Sequence, residues 1–419
     1  MKPSPLIETK TACPAGMDRR RFLRRGLAAL AVAPLVPASF LVRAQPATVG
    51  SAAAPRIRLG IVGCGGRGGW IARLFHGHGG YTMHAVADYF QEVADACGDA
   101  VGVDQARRFS GLSGFKRLME SGVEAVALET PPFWFPEHVQ FAVAQGLHVF
   151  LAKPVAVDVP GCLAVEAAAR SVQGKRCFLV DYQMPTDPSN IEVVRRIHEG
   201  QIGPVAALSS QYHAGSFSDP PLTDSIASRL RSLIWVNDDA IGGGYHVNAC
   251  IHAIDAALWI AGSRPVSATG VSHRMRENPQ GDSHDVYSLL FQFENGLALT
   301  HHGKHLNNQT GFDVYAEAQG RHGHARIYYG GRAWLKARDD GFNGDVPNLY
   351  EGGAVRNIDL FHRSVAVEDF SNPTVARSID GTLATLLGRE AGVRRGTVAM
   401  AELLRQNRRL EIDLTGLKA

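Results

Sequence analysis

Residues 57–69 read Ile57-Arg58-Leu59-Gly60-Ile61-Val62-Gly63-Cys64-Gly65-Gly66-Arg67-Gly68-Gly69: an apolar strand, a glycine-rich turn, then the opening of a helix. Each glycine of a Gly-x-Gly-x-x-Gly turn has a separate physical task. Gly63 permits the tight turn, Gly65 lets backbone approach a pyrophosphate, and Gly68 allows the helix to pack closely on the strand, with Gly66 and Arg67 between them. The helix start then offers free amides and a positive dipole end to phosphate. Asp88 closes the next apolar run, 20 residues after Gly68. A carboxylate there accepts hydrogen bonds from a ribose 2′-hydroxyl and repels a 2′-phosphate, which favours NAD over NADP. Arg67, a cation beside the turn, keeps NADP possible.

Working outward, apolar runs alternate with amphipathic segments. Strands are predicted at Ile57–Val62, Thr82–Ala87, Ala125–Glu129, His148–Leu151 and Phe178–Asp181, with helices at Gly69–Phe75, Gly114–Glu120 and Pro136–Gln145. That alternation implies an α/β, doubly wound parallel sheet, a Rossmann domain over residues 56–182. After Gln183 the texture changes. A helix at Asn190–Glu199 leads to a strand near Val205–Tyr212, and a helical region holds Gly242-Gly243-Gly244 and runs through Trp259. Strands at Val286–Phe293 and Leu297–His301 flank the hairpin signal Asn295-Gly296, and further strands are expected at Thr310–Ala318 and His324–Tyr329. Residues 183–419 read as an α+β domain with a large, mostly antiparallel open sheet.

The N-terminus reads as an address. Asp18-Arg19-Arg20-Arg21-Phe22-Leu23 precedes an apolar run from Gly26 to Val42, broken by Pro34 and Pro37, and Val42-Arg43-Ala44 resembles a cleavage site. This is the pattern of a twin-arginine (Tat) signal over residues 1–44, followed by a small-residue linker at 45–55. The run is too short and mild for a spanning helix of about 20 apolar residues, so no membrane anchor is expected after cleavage. The implied partner is the Tat export machinery and the implied location the periplasm. The leader holds eight basic residues against Glu8 and Asp18, while the 419-residue chain carries +3 overall, which leaves the rest near −3. No nucleic-acid partner is expected from that balance. Cys64, Cys97, Cys162, Cys177 and Cys250 remain beyond the leader, odd in number and with no Cys-x-x-Cys. They read as small buried hydrophobes, and no metal site is expected. His301 and His305 share a strand face, but no acidic partner for a metal is evident in the sequence.

Two segments carry chemistry. Glu129-Thr130-Pro131-Pro132 closes one strand, and 23 positions after Thr130 comes Lys153, in Leu151-Ala152-Lys153-Pro154. A lysine at the carboxyl end of a parallel strand faces the crevice where such sheets bind ligands. The second segment runs from Gly242 through Asn248, His252 and Asp255; on a helix these three polar groups share a face at i, i+4 and i+7.

Together these motifs resemble the Gfo/Idh/MocA family, the glucose–fructose oxidoreductase and inositol dehydrogenase group, from the fingerprint to the Gly381–Gly392 helix region. The resemblance implies a sugar or polyol substrate held between the second sheet and the nicotinamide. The family's Glu-Lys-Pro falls on Ala152-Lys153-Pro154 and its Asp-x-x-x-His on Asn248 and His252. By resemblance, Lys153 binds the reacting hydroxyl and the nicotinamide ribose, His252 is the general acid/base, and Asn248 orients it. Gln183 joins Asn248 and His252 as a substrate-binding candidate, and Thr130, Pro131 and Pro132 join the cofactor set. Ala152 and Asn248 each remove a carboxylate that the family carries. Asp255 is expected to serve structure, and the stretch Asp181–Asp187 offers other polar groups.

The expectation is therefore a periplasmic NAD(P)-dependent oxidoreductase that acts at a secondary alcohol or ketone of a sugar, polyol or glycoside. It is expected to retain its cofactor, because export of a folded protein leaves the nicotinamide pool behind. A homo-oligomer, dimer or tetramer, is expected through the open sheet. Two alternatives stand beside it: transient oxidation that enables epimerisation, elimination or glycoside cleavage, and a catalytically degenerate nucleotide- and sugar-binding protein.

Overall fold

Six short strands form the first sheet, all but the third largely apolar because both of their faces are covered. They are β1 (Ile57–Val62), β2 (Tyr81–Asp88), β3 (Arg108–Ser110), β4 (Ala125–Leu128), β5 (His148–Ala152) and β6 (Phe178–Asp181). All pair in parallel, in the order β3-β2-β1-β4-β5-β6. This is the doubly wound order with its switch point between β1 and β4, where such sheets open a crevice at the carboxyl ends of their strands. The crossovers are α1 (Gly66–His78), α2 (Gln91–Val101), α3 (Gly114–Met119), α4 (Phe135–Ala144) and α5 (Val159–Val172). The sequence reading lacked β3, α2 and α5. The computed structural model describes residues 56–217, 219, 226–231, 234–277, 279–338 and 340–419. The expected leader (1–44) and linker (45–55) lie outside the described residues.

After α6 (Pro188–His198) the chain lays down β7 (Val205–Ala214) and then α7 (Ile226–Arg229), α8 (Asp239–Gly242) and α9 (Ile251–Ala261). The remaining strands are β8 (Ser267–His273), β9 (Val286–Gln292), β10 (Ala298–His305), β11 (Asp313–Gly320), β12 (Gly323–Tyr328), β13 (Gly331–Ala337), β14 (Gly341–Val346) and β15 (Thr397–Ala399). Among the described residues they form one nine-stranded sheet, β14-β13-β12-β11-β7-β10-β9-β8-β15, antiparallel except for the β7–β10 pair. On β9, Tyr287, Leu289 and Phe291 point into the core while Ser288, Leu290 and Gln292 face outward, the alternation of a sheet covered on one side. Helix α9 packs on β7 and β11.

Three more helices follow: α10 (Leu349–Ala366), α11 (Thr374–Arg394) and α12 (Met400–Gln406). Helix α10 returns to the first sheet, where Ala354, Ile358 and Phe361 pack with Ile57, Leu59, Phe75 and Phe150. Helix α11 clamps the two halves: Thr382 Oγ1 accepts from the Val155 amide at 3.3 Å, and Arg389 donates to the Gly243 and Val157 carbonyls at 3.0 and 3.3 Å. The crevice at the end of β5 is thereby walled by α9 and the second sheet. No described helix is long and apolar enough to cross a membrane.

Candidate active site

The glycine turn has the geometry its sequence demands. Gly63 sits at φ +89°, and a Cβ there would lie 2.6 Å from the Glu129 carbonyl carbon and the Thr130 amide. A Cβ on Gly68 would lie 1.8 Å from the Gly63 carbonyl oxygen, so the helix start is pressed against the turn. Gly65 and Gly66 face open space on their Cβ side. No side chain caps α1, whose first-turn amides lack intrahelical partners. The orphaned donors beside open space fit a pyrophosphate.

Beside the turn, a pocket open to solvent, about 680 Å³ with that open space included, is bordered by Gly63, Gly65, Asp88, Tyr89, Thr130 and Pro131, among others. Asp88 accepts from the Cys64 amide at 2.8 Å and the Phe90 amide at 3.0 Å. Each carboxylate oxygen keeps a lone pair for a ribose hydroxyl. Burial pushes the Asp88 pKa up, and those two amides oppose the shift.

A second space, about 1450 Å³ and open to solvent, joins the turn to the other half of the chain. Gly65, Gly66, Arg67, Gly68, Thr130, Pro132, Lys153, Gln183, Asn248 and His252 all border it. Thus cofactor, lysine and histidine candidates from five separate segments meet in one crevice.

The details correct several expectations. Arg67, a cofactor candidate beside the turn, is held at the crevice by two carboxylates. Its guanidinium is committed to Glu129 at 3.1 Å and to Asp181, and it lies near the stacked rings of Trp70 and Tyr350. Burial works against its charge, but Glu129 and Asp181 more than compensate and hold it cationic. The carboxylate absent at Ala152 reappears one strand over, because Asp181 is the β6 partner of Ala152 in the β5–β6 register. Asp181 is fully buried and also accepts from Gln183 Nε2 at 3.0 Å and Asn357 Nδ2 at 2.7 Å.

Asn248 does not orient His252. Residues His246–Cys250 form a π-turn, and α9 starts only at Ile251, so the regular i, i+4 face is broken. Such π-turns are frequent at functional sites. The Asn248 backbone carbonyl accepts from Lys153 Nζ at 2.6 Å, while its side-chain amide makes no hydrogen bond among the described residues. His252 Nδ1 is buried without a partner. The ring is held by Tyr329, 5.2 Å away and edge-on, and by Tyr212, 6.2 Å away and nearly parallel.

The electrostatics follow from burial. Desolvation, helped by the Arg67 charge, lowers the Lys153 pKa to about 7, with Asp181 and Glu129 resisting. Glu129 is pushed up to about 7 by burial, against the pull of Arg67. Burial, with the cations Lys153 and Arg67, drives the His252 pKa well down, so the imidazole is neutral. A neutral acceptor therefore shares the crevice with a lysine that changes charge near neutrality, the placement proton-transfer chemistry requires.

Asp255 is structural. It is buried and paired with Arg377 at 2.7 Å. The expectation that His305 lacks an acidic neighbour is overturned: His305 Nε2 and Asp285 Oδ1 are 2.8 Å apart. That contact bridges the open end of the β9–β10 hairpin, 20 positions apart in sequence. Sequence reasoning missed Glu129 and Tyr329 as parts of the site; the strand-end position of Glu129 was the available signal.

A Rossmann sheet whose crevice is closed by an open mixed sheet, with a strand-end lysine facing a helix histidine, defines a dinucleotide-dependent oxidoreductase. Residues 57–181 match the oxidoreductase family with an NAD-binding Rossmann fold, and residues 191–326 match the GFO/IDH/MocA C-terminal domain. The chain belongs to the Gfo/Idh/MocA oxidoreductases, which act on CH–OH groups with NAD. It is 26% identical over 275 residues to an inositol 2-dehydrogenase of Ralstonia nicotianae, covering 65% of this chain and 74% of that one. The fold matches scyllo-inositol dehydrogenase of Lactobacillus casei with bound NAD(H) and scyllo-inositol, at TM-score 0.66 and 18% identity over 83% of this chain and 99% of the other. It also matches aldose–aldose oxidoreductase of Caulobacter crescentus complexed with glycerol, at TM-score 0.68 and 18% identity over 82% and 99%.

Proposed function

We propose that this protein works in the periplasm, holds NAD through its catalytic cycle, and acts on a secondary alcohol of a cyclic polyol, sugar or glycoside. The observation that carries the reading is that Lys153 and His252 border one crevice with the Gly65–Gly68 turn. NAD, when bound, supplies the hydride acceptor. Lys153 as an ammonium holds the reacting hydroxyl and stabilises negative charge on its oxygen, while Asn248 O fixes the position of its Nζ. Neutral His252 takes the hydroxyl proton. Gln183, tied to Asp181 and Tyr329, presents a fixed amide to the other substrate hydroxyls.

Export rests on the twin-arginine stretch Arg19-Arg20 and the apolar run behind it. An oxidoreductase delivered folded, away from a nicotinamide pool, works best when each cycle returns NAD to its starting state. Paired oxidation and reduction of two sugars does this, as does transient oxidation coupled to epimerisation, elimination or glycoside cleavage. The likeness to an aldose–aldose oxidoreductase and to inositol dehydrogenases supports the substrate class. Assembly into a dimer or tetramer through the outer face of the nine-stranded sheet belongs to the same reading.

The test is to purify the exported form and release its nucleotide for mass analysis. One NAD(H) per chain and product formation from a panel of polyols and sugars are the expected results. A binding protein without chemistry is the second reading, favoured by the unpartnered Nδ1 of His252. It predicts bound nucleotide that no substrate alters.

A further inference from the structure

The mechanism leaves unused a buried group of donors behind the crevice. His246 and Cys250, on the π-turn, and His301, on β10, are all buried, and one donor atom from each lies within 4.8 Å of the others. Both ring nitrogens of His246 and Nε2 of His301 are buried without a hydrogen-bond partner. Unpaired imidazole nitrogens in an apolar interior cost free energy unless something binds them. Two glycines make room for the donor side chains themselves. A Cβ on Gly303 would lie 2.6 Å from Cys250 Sγ and 3.2 Å from His301 Nε2, and a Cβ on Gly388 would lie 2.6 Å from His246 Nε2.

We propose that His246, Cys250 and His301 bind one d10 cation, Zn²⁺ or Cu⁺, which clips the segment bearing Asn248 and His252 to strand β10. Two imidazoles and a thiolate form the soft-to-borderline donor set these ions take. The supporting contacts suit that role. Ser210 Oγ lies 2.9 Å from His301 Nδ1 and is able to accept from Nδ1–H, the tautomer that leaves the Nε2 lone pair for the ion. The Tyr245 hydroxyl lies beside the Cys250 thiol, and Tyr287 stacks on His246 at 4.5 Å. The Arg389 charge that acts on His246 also faces the buried Asp239 carboxyl, which offsets it. Ion–nitrogen bonds of about 2.0 Å and ion–sulfur bonds of about 2.3 Å require donors roughly 3.5 Å apart, so side-chain rotations of about 1 Å close the site. Binding displaces the Cys250 thiol proton to solvent and changes no oxidation state.

The experiment uses the full chain. It is purified after growth with zinc or with copper under reducing conditions, dialysed against a weak chelator, and analysed for metal by mass spectrometry of the digested protein. One ion per chain is expected, with X-ray absorption showing mixed nitrogen and sulfur neighbours. Cys250→Ser should lose the sulfur neighbour and most of the metal while keeping bound nucleotide. The growth arms decide between zinc and copper. If Cys250→Ser fails to fold, Co²⁺ added to the metal-stripped wild type must give a thiolate-to-cobalt charge-transfer band. Metal below stoichiometry in both arms, binding unaffected by Cys250→Ser, or a cobalt complex without thiolate absorption each overturns the proposal.

Discussion

Replacing Lys153 with methionine should make the protein more stable at neutral pH while it abolishes turnover. Burial in the crevice brings the lysine from an ordinary value of 10.5 down to about 7. At about 1.36 kcal/mol per pH unit, that difference corresponds to roughly 5 kcal/mol. Crevice water reaches this partly buried side chain, so the expected cost to the native state is on the order of 2–4 kcal/mol. The sign follows from proton linkage. Between pH 7 and 10.5 the unfolded chain binds the proton and the folded protein does not, so stability rises with pH across that window. Below pH 7 both states are protonated and the cost of burying the cation is complete; above 10.5 it is gone. A methionine side chain would fill similar volume without charge. The assay is thermal unfolding of wild type and Lys153→Met at matched nucleotide content, at about pH 7 and about pH 10. The variant should melt a few degrees higher at neutral pH, and the advantage should shrink in the alkaline sample. A variant less stable at neutral pH, or an advantage independent of pH, refutes the reasoning.

His252→Ala should lower the rate constant of alcohol oxidation by about 10²–10⁴-fold with an unchanged circular dichroism spectrum, because it removes the proton acceptor; stopped-flow absorbance checks it. Asp88→Ala should weaken NAD binding by about 10–100-fold, the cost of about 1.5–3 kcal/mol for hydrogen bonds to a charged group, and narrow the preference over NADP; fluorescence titration with both nucleotides measures it. In Asp181→Asn, Lys153 loses an anion that supports its charge. Its titration should move to lower pH by about one unit, read as an acid shift in the pH–rate profile.

The periodicity of apolar runs made the Rossmann half legible, since buried parallel strands such as Ala125–Leu128 are continuous and bracketed by turns. Strand β3 escaped because three partly buried residues, Arg108–Ser110, carry no apolar run. In the second half, the hairpin at Asn295-Gly296 announced itself, with Gly296 at φ +85°. Strand β13 did not, because Arg332, Trp334 and Lys336 give its outer face the look of a loop. At the site, residues adjacent in a motif were placed well and residues joined across the fold were not. Arg67 meets Asp181 from 114 positions away, and only the β5–β6 register brings Asp181 beside Ala152. The π-turn was invisible for a different reason. A helix with one widened turn has the composition of a regular one, yet it separates Asn248 from His252 and hands a backbone carbonyl to Lys153.

The central claim is that Lys153 and His252 act together on a substrate alcohol beside bound NAD. The most direct measurement adds cyclic polyols and sugars, one at a time, to the NAD-loaded protein and follows the reduced-nicotinamide absorbance within a single turnover. At least one should produce the reduced band in wild type, with the band lost in Lys153→Met and His252→Ala while nucleotide remains bound. Nucleotide that stays oxidised across the whole panel, with no product by mass analysis, would contradict the account.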